Sequence, residues 1–197
     1  MTGPDLILAS ASPRRADLLK WAGVNFETRP VDLDESRMDG EVPADYAVRL
    51  ARGKALAGDH GTRLVLGADT IVVLGDMILG KPSGPAEARS HLAALSGRTH
   101  QVVTAFCLAA AGQPLSTLAV LSRVAFRPLT RDMIEGYAAS GEGLDKAGAY
   151  GLQGRGWSLI ESVEGSLTNV MGLPLTEVLA ALDRHRPGLF FRGPALD

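Results

Sequence analysis

Apolar and polar positions along the chain switch between a helical and a strand period. Leu6-Ile7-Leu8-Ala9 is a continuous apolar run, as expected of a short strand buried on both faces. Pro13 opens a predicted helix whose apolar residues include Leu18, Leu19 and Ala22, with Gly23 at the stop. Residues 26–33 read as extended, and Pro30 marks that stretch as a sheet edge. Residues 44–57 form an Ala-rich predicted helix. The strongest strand signal covers 63–74, and Gly75-Asp76 turns it into Met77-Ile78-Leu79 as a hairpin. Pro85 starts a helix ending at Leu95. Two long strands follow, at 99–110 and 114–127, joined at Gly112-Gln113. Thr130 is the expected cap of a helix running to Ala139. Residues 140–156 are Gly-rich and predicted to be loop, and 158–163 a strand. Pro174 starts the last helix, with Leu175, Val178, Leu179 and Leu182 at i, i+3, i+4 and i+7. The tail after Pro187 reads as irregular. Alternating helix and strand signals predict an α/β fold: one elongated mixed sheet flanked by helices and bent into two lobes.

Composition narrows the picture. A length of 197 residues, with no repeat or linker, predicts a single domain over 1–197. With 46% apolar and 21% charged residues, global disorder is excluded. Twenty basic against 22 acidic residues leave a net charge of −2. That balance argues against a nucleic-acid binder while leaving room for a local cationic pocket. The single cysteine, Cys107, excludes an internal disulfide and a cysteine-rich zinc site, and its apolar strand setting predicts inert core. His60, His91, His100 and His185 have no metal-ligand spacing. No apolar run approaches the ~18 residues that span a bilayer, so no membrane association is expected. Met1-Thr2-Gly3-Pro4-Asp5 lacks the basic start of a signal peptide, which makes the cytoplasm the expected compartment.

Four features carry chemistry. Ser10-Ala11-Ser12-Pro13-Arg14-Arg15 lies between a strand and a helix N-terminus, where unpaired N–H groups and the dipole suit phosphate. Ser12, Arg14 and Arg15 add donors to that site. A serine cap beside two solvated arginines is the competing reading. Asp69 stands inside an apolar run, where a lone carboxylate is costly unless paired or metal-bound. A carboxylate bonded to Thr70 or a loop amide is its plainer alternative. Glu35, in Asp32-Leu33-Asp34-Glu35, belongs to a solvated turn or supplies a second hard-oxygen ligand for Mg²⁺ beside Asp69. On a helical wheel Lys54 falls between Ala47, Leu50 and Ala51, whereas Asp45, Arg49 and Arg52 fall on the opposite side. Its ammonium is expected to point into a cleft, or to snorkel at the stripe's edge. Lys81, in Gly80-Lys81-Pro82, is a candidate phosphate contact on a rigid turn. The preceding residues nearly match a P-loop, but Pro82 has neither the hydroxyl nor the N–H that motif needs. Gly151-Leu152-Gln153-Gly154-Arg155-Gly156 has the wrong glycine order for a dinucleotide fingerprint. No nucleophile elbow is present. Together these features describe a polyphosphate hydrolase and leave its base and the cleaved bond open.

The segments Leu8-Ala9-Ser10-Ala11-Ser12-Pro13-Arg14-Arg15, Asp32-Leu33-Asp34-Glu35, Ala51-Arg52-Gly53-Lys54-Ala55 and Gly67-Ala68-Asp69-Thr70 occur in that order. They continue with Gly80-Lys81-Pro82, Leu95-Ser96-Gly97-Arg98-Thr99-His100, Asp145-Lys146-Ala147-Gly148-Ala149-Tyr150-Gly151-Leu152-Gln153-Gly154 and Asn169-Val170-Met171-Gly172-Leu173-Pro174-Leu175. In this register the sequence resembles the Maf family of nucleoside triphosphate pyrophosphatases over nearly its whole length. The resemblance implies an inosine-triphosphatase-like fold with the nucleotide in a cleft between two lobes. It also implies a divalent cation, Mg²⁺ or Mn²⁺, and cleavage between the α- and β-phosphates. The segment ending in Gln153-Gly154 looks like the branch acting on dTTP and UTP rather than the 7-methyl-GTP branch. Under this resemblance Glu35 and Asp69 hold the metal and one of them is the base. Ser12, Arg14, Arg15, Lys54, Lys81 and Gln153 bind the substrate. A nucleotide-binding regulator of cell division is the rival reading attached to the family, and a homodimer is compatible with the resemblance.

Overall fold

The structure, a computed structural model, describes residues 5–57 and 61–189. The readings made for residues 1–4, for His60 and for the tail beyond residue 189 lie outside the described residues. The elements are β1 (Leu6–Leu8), α1 (Pro13–Trp21), β2 (Phe26–Thr28), α2 (Pro43–Leu56), β3 (Leu64–Leu74), β4 (Met77–Leu79), α3 (Pro85–Leu95), β5 (Thr99–Ala110) and β6 (Gln113–Phe126). They continue with α4 (Arg131–Ala139), two 3₁₀ turns (Ala147–Ala149 and Gly154–Leu159), β7 (Ile160–Glu164), α5 (Leu167–Val170) and α6 (Leu175–His185).

The strands form one seven-stranded sheet in the order β2-β1-β3-β5-β6-β7, with β4 paired to β3. β1 runs parallel to both β2 and β3, whereas β4 is antiparallel to β3 and β7 to β6. The predicted mixed α/β sheet is therefore present. β1 is flanked by strands on both sides and fully buried, which is why its sequence is apolar without alternation.

Several boundaries differ from the sequence expectation. The extended stretch from residue 26 pairs only as far as Thr28. The turn between β5 and β6 is Ala111-Gly112, one residue before the expected Gly112-Gln113, with φ of 48° and 71°. Two successive positive φ values match the twist of a tight hairpin. The Gly-rich segment holds two 3₁₀ turns, and β7 starts at Ile160 rather than 158. Helix α5 has no counterpart in the sequence reading. Pro174 is the N-cap of α6 and not its first residue.

The chain divides into two compact units. The first comprises Met1–Asp69, Thr104–Val120 and Gly172–Asp197, and the second Thr70–Val103 and Leu121–Met171. Strands β3, β5 and β6 each contribute residues to both. In the first unit Leu6, Ile7, Leu8, Leu18, Leu19, Leu50 and Leu66 are fully buried. Each such side chain contributes about 1.5–3 kcal/mol on leaving water. The second unit is built around Leu92, Leu95, Val124, Phe126, Tyr137 and Tyr150. Cys107 is buried in the first unit, and burial pushes its thiol pKa up, consistent with the expected core role.

Candidate active site

In the first unit the site is built by the close approach of α2 to β3. A Cβ at Gly67 would stand 2.3 Å from the Ala51 carbonyl oxygen and 2.5 Å from the Ala55 nitrogen, so glycine is what lets the helix backbone touch the strand. Ala47, Leu50, Ala51, Lys54 and Ala55 form the buried face of α2. Asp69 follows Gly67 by two residues and so leaves β3 on the same side. The loop after β2 also packs on α2: a Cβ at Gly53 would stand 2.6 Å from Leu33 Cδ2.

These contacts bring Lys54, Asp69 and Glu35 together. The Lys54 ammonium donates to Asp69 Oδ1 at 2.6 Å and pairs with Glu35 Oε1 at 2.6 Å. The Lys54 and Asp69 side chains are about one-tenth exposed, that of Glu35 about half. Lys54 lies on the apolar stripe, and its ammonium is clamped between the two carboxylates. Asp69, costly if left unpaired in its apolar strand, is compensated by this lysine from another element.

The Glu35 loop is held by groups that the sequence reading passed over. The Tyr46 hydroxyl donates to the Glu35 carbonyl oxygen at 2.7 Å, and Arg49 Nη2 donates to the Ser36 carbonyl oxygen at 2.9 Å. Arg49 also grips the Glu41 carboxylate through Nε at 2.7 Å and Nη2 at 2.8 Å, and lies over the Tyr46 ring. That bidentate contact pulls the Glu41 carboxyl down to about 2. The wheel places Arg49 on the solvated side, and its contact with an upstream acidic loop has no local sequence signal beyond the Tyr46/Arg49 spacing of i, i+3.

The segment at the start of α1 is organised from beneath by Arg15. This guanidinium is buried, donates to Ser10 Oγ at 2.9 Å and to the Gly172 carbonyl oxygen at 2.8 Å, and has its pKa lowered by burial, with Asp69 and Glu35 opposing the shift. Arg15 is thus directed into the protein beneath Ser10, whereas the sequence alone suggests a further phosphate donor. Ser12 occupies the N-cap position, but its hydroxyl makes no capping bond, contrary to the serine-cap alternative. Arg14 is half-buried beside it.

Lys81 and Gln153 belong to the second unit. Lys81 is exposed on the turn after β4, and the neighbouring Gly80 carbonyl oxygen accepts from Gly148 N–H at 3.1 Å. Gln153 precedes the second 3₁₀ turn and makes no side-chain cap to it.

Among the described residues no cluster of three or more His, Cys, Asp or Glu side chains is arranged to hold a metal ion. The two carboxylates that converge on the Lys54 ammonium nonetheless suit Mg²⁺, which commonly takes one or two carboxylates and completes its shell with water and substrate phosphates. Among the described residues no helix is long and apolar enough to cross a membrane.

A family model described as "Maf-like protein" matches residues 5–185. A dTTP/UTP pyrophosphatase of Anaeromyxobacter dehalogenans strain 2CP-1 is 50% identical over 187 residues, covering 92% of this chain and 94% of that protein. One of Myxococcus xanthus is 50% identical over 181 residues, covering 91% of each chain. Among solved structures, a HAM1 protein from Coxiella burnetii aligns with a TM-score of 0.51 at 16% identity, over 91% of this chain and 98% of that one, a likeness of fold. With the family match running from β1 to the end of α6, and with relatives sharing half of the aligned positions, the chain belongs to the Maf family.

Proposed function

We propose that this chain is a cytoplasmic pyrophosphatase that clears dTTP, UTP and related modified pyrimidine triphosphates from the nucleotide pool. It would release the nucleoside monophosphate and pyrophosphate. The observation that carries the proposal is the convergence of Glu35 and Asp69 on Lys54, in a chain half identical to proteins named dTTP/UTP pyrophosphatase.

Water attacks the α-phosphorus in line with the bridging oxygen to the β-phosphate. The new P–O bond forms as that bridging bond breaks, and the proton of the attacking water passes to a carboxylate. We assign the base to Asp69, the more buried of the two carboxylates, with Glu35 beside it as metal ligand and orienting group. Glu35 and Asp69 would hold Mg²⁺ or Mn²⁺, which when bound neutralises charge on the phosphates. Ser12 and Arg14 bind phosphate at the N-terminus of α1. Lys54 and Lys81 supply cations that stabilise the departing pyrophosphate. Arg15 supports the Ser10–Ser12 backbone through its bonds to Ser10 Oγ and the Gly172 carbonyl. Gln153 reads the base, because its amide can pair with N3–H and an adjacent carbonyl, an edge that thymine and uracil share.

The test is pyrophosphate and monophosphate release with Mg²⁺ from dTTP, UTP, CTP, GTP and 7-methyl-GTP. We expect dTTP and UTP to lead, and Gln153→Ala to erode that lead by about 1–3 kcal/mol. Preference for 7-methyl-GTP, or no pyrophosphate from any of them, overturns the reading. The assembly we propose is a homodimer, and sedimentation of the full chain as a monomer throughout the micromolar range counts against it.

A further inference from the structure

The carboxylate of Glu142 takes no part in the chemistry described above, yet it accepts three hydrogen bonds within the second unit. Its Oε1 accepts from the Tyr137 hydroxyl at 3.1 Å and from Gly156 N–H at 3.1 Å, and its Oε2 accepts from Arg155 N–H at 3.0 Å. The Tyr137 hydroxyl in turn accepts from Gly151 N–H at 3.2 Å. One carboxylate–phenol pair therefore ties down both ends of the loop 151–156, and Gln153 sits between the ties.

The glycines of the loop follow from the same closure. A Cβ at Gly156 would stand 1.7 Å from the Gly151 carbonyl oxygen, so the two ends of the loop touch backbone to backbone. Gly154 has φ of +67°, and a Cβ there would stand 2.8 Å from Glu142 Oε2. Lys146 braces the pair from behind. Its ammonium bonds to the Glu142 carbonyl oxygen and to Asp145 Oδ1, and its aliphatic stem lies against Gly151. Burial and the neighbouring Glu142 charge both push the Tyr137 phenol pKa up, so its hydroxyl keeps the proton that it donates.

This arrangement matters for base recognition. A glutamine amide carries a donor and an acceptor, and rotating it by half a turn exchanges them. A freely moving amide would pair with the N3/amino edge of cytosine as readily as with the N3–H/carbonyl edge of thymine or uracil. Discrimination needs a loop that holds Gln153 against fixed backbone dipoles. We infer that Glu142 is a specificity-determining positioning residue: with Tyr137 it clamps loop 151–156 so that Gln153 favours thymine and uracil over cytosine. The inference rests on the base-reading role proposed for Gln153.

The experiment measures kcat and KM for dTTP and CTP, together with Tm, on wild type, Gln153→Ala, Glu142→Ala, Glu142→Gln and Tyr137→Phe, and on Glu142→Ala combined with Gln153→Ala. In wild type dTTP should lead CTP in kcat/KM. Glu142→Ala should reduce that ratio by at least ~10-fold, by leaving two backbone N–H groups and a phenol without their acceptor. Glu142→Gln and Tyr137→Phe, which keep part of the network and the packing, should reduce it partially, and they carry the test if Glu142→Ala does not fold. In the Gln153→Ala background the Glu142 substitution should change the ratio by less than ~2-fold, since the clamp acts through that amide. Equal losses for dTTP and CTP, or an unchanged ratio in the Glu142 variants while Gln153→Ala loses it, overturn the clamp and leave the base reading standing. A wild type that does not prefer dTTP, or a Gln153→Ala variant that keeps the full preference, overturns the base reading and the clamp with it.

Discussion

Lys54 holds two carboxylates in unequal surroundings, and the difference sets what each contact is worth. Toward Asp69 both partners are buried, so removing the cation leaves a carboxylate without its hydrogen-bonded ion-pair partner in a poorly solvated site. Toward Glu35 the acceptor side is half in water, where an ion pair contributes little. Lys54→Met should therefore lower unfolding free energy by about 3 kcal/mol, while Glu35→Gln should cost less than ~1 kcal/mol. Urea midpoints read both, and equal losses would show that the Asp69 contact is not the stronger one. Asp69→Asn tests the chemistry at the same position. The amide retains an oxygen for Lys54 and the shape of the side chain, but it loses the charge needed of a base or metal ligand. We expect an unchanged circular dichroism spectrum with kcat reduced by at least ~10². A near-normal rate at saturating Mg²⁺ would remove Asp69 from the mechanism.

Between elements, the distance from α2 to β3 decides whether Lys54 and Asp69 meet at all. At Gly67 the obstacles to a side chain are the backbone atoms of Ala51 and Ala55, which cannot swing aside as a side chain would. Gly67→Ala must push the helix away from the strand, at about 1–3 kcal/mol, and should lengthen the ammonium–carboxylate contact. Loss of activity beyond the loss of stability is the expected signature. It is read as reduced kcat/KM at a temperature where the variant remains folded. Gly136 is the control. It lies inside α4 with nothing within 4 Å of a Cβ and without a left-handed φ, so Gly136→Ala should raise stability by about 0.5–1 kcal/mol. A destabilised Gly136→Ala variant would mean that open space is a poor guide in this fold.

For the molecule as a whole, acid should be the condition that exposes the weakness of the second unit. His100 is buried against Phe126 and Tyr150, with Nε2 at 2.7 Å from the Tyr150 hydroxyl. Burial pushes its imidazole from 6.5 down to about 4. The unfolded chain therefore takes up this proton at higher pH than the folded one. Stability is full above about pH 6.5, falls as pH drops toward about 4, and levels off below. The span corresponds to on the order of 3 kcal/mol. His100→Gln can keep a bond to Tyr150 without titrating, so its Tm should fall less than that of wild type between pH 7 and pH 4.5. Parallel Tm–pH curves for the two would show that another group governs the acid response.

The element map and most of the residues worth suspecting are legible in one dimension, because both rest on local contrast. Apolar period and Pro/Gly punctuation locate β1, α2, β3, α3 and α6, and Asp69 and Lys54 stand out as charges in apolar surroundings. Local contrast fails where an element is too short to have a period, as in α5, whose only sign is Ser166 accepting from Asn169 N–H at 3.2 Å. It also fails where pairing register sets the backbone, as at Ala111, which takes a positive φ because β5 and β6 impose it. The tertiary structure alone decided which suspects meet. Lys54 and Asp69 are 15 residues apart, and their contact depends on a helix touching a strand at Gly67. The same holds for Arg15, which turns inward to Ser10 and Gly172, for the Tyr46 and Arg49 contacts to the Glu35 loop, and for Glu142. A glutamate in a Gly-rich stretch reads as solvated surface until folding brings Tyr137, Arg155 and Gly156 to its oxygens. Hydrogen bonds and ion pairs act over about 3 Å, and in a folded chain that proximity is set by packing between elements, which one-dimensional pattern does not encode.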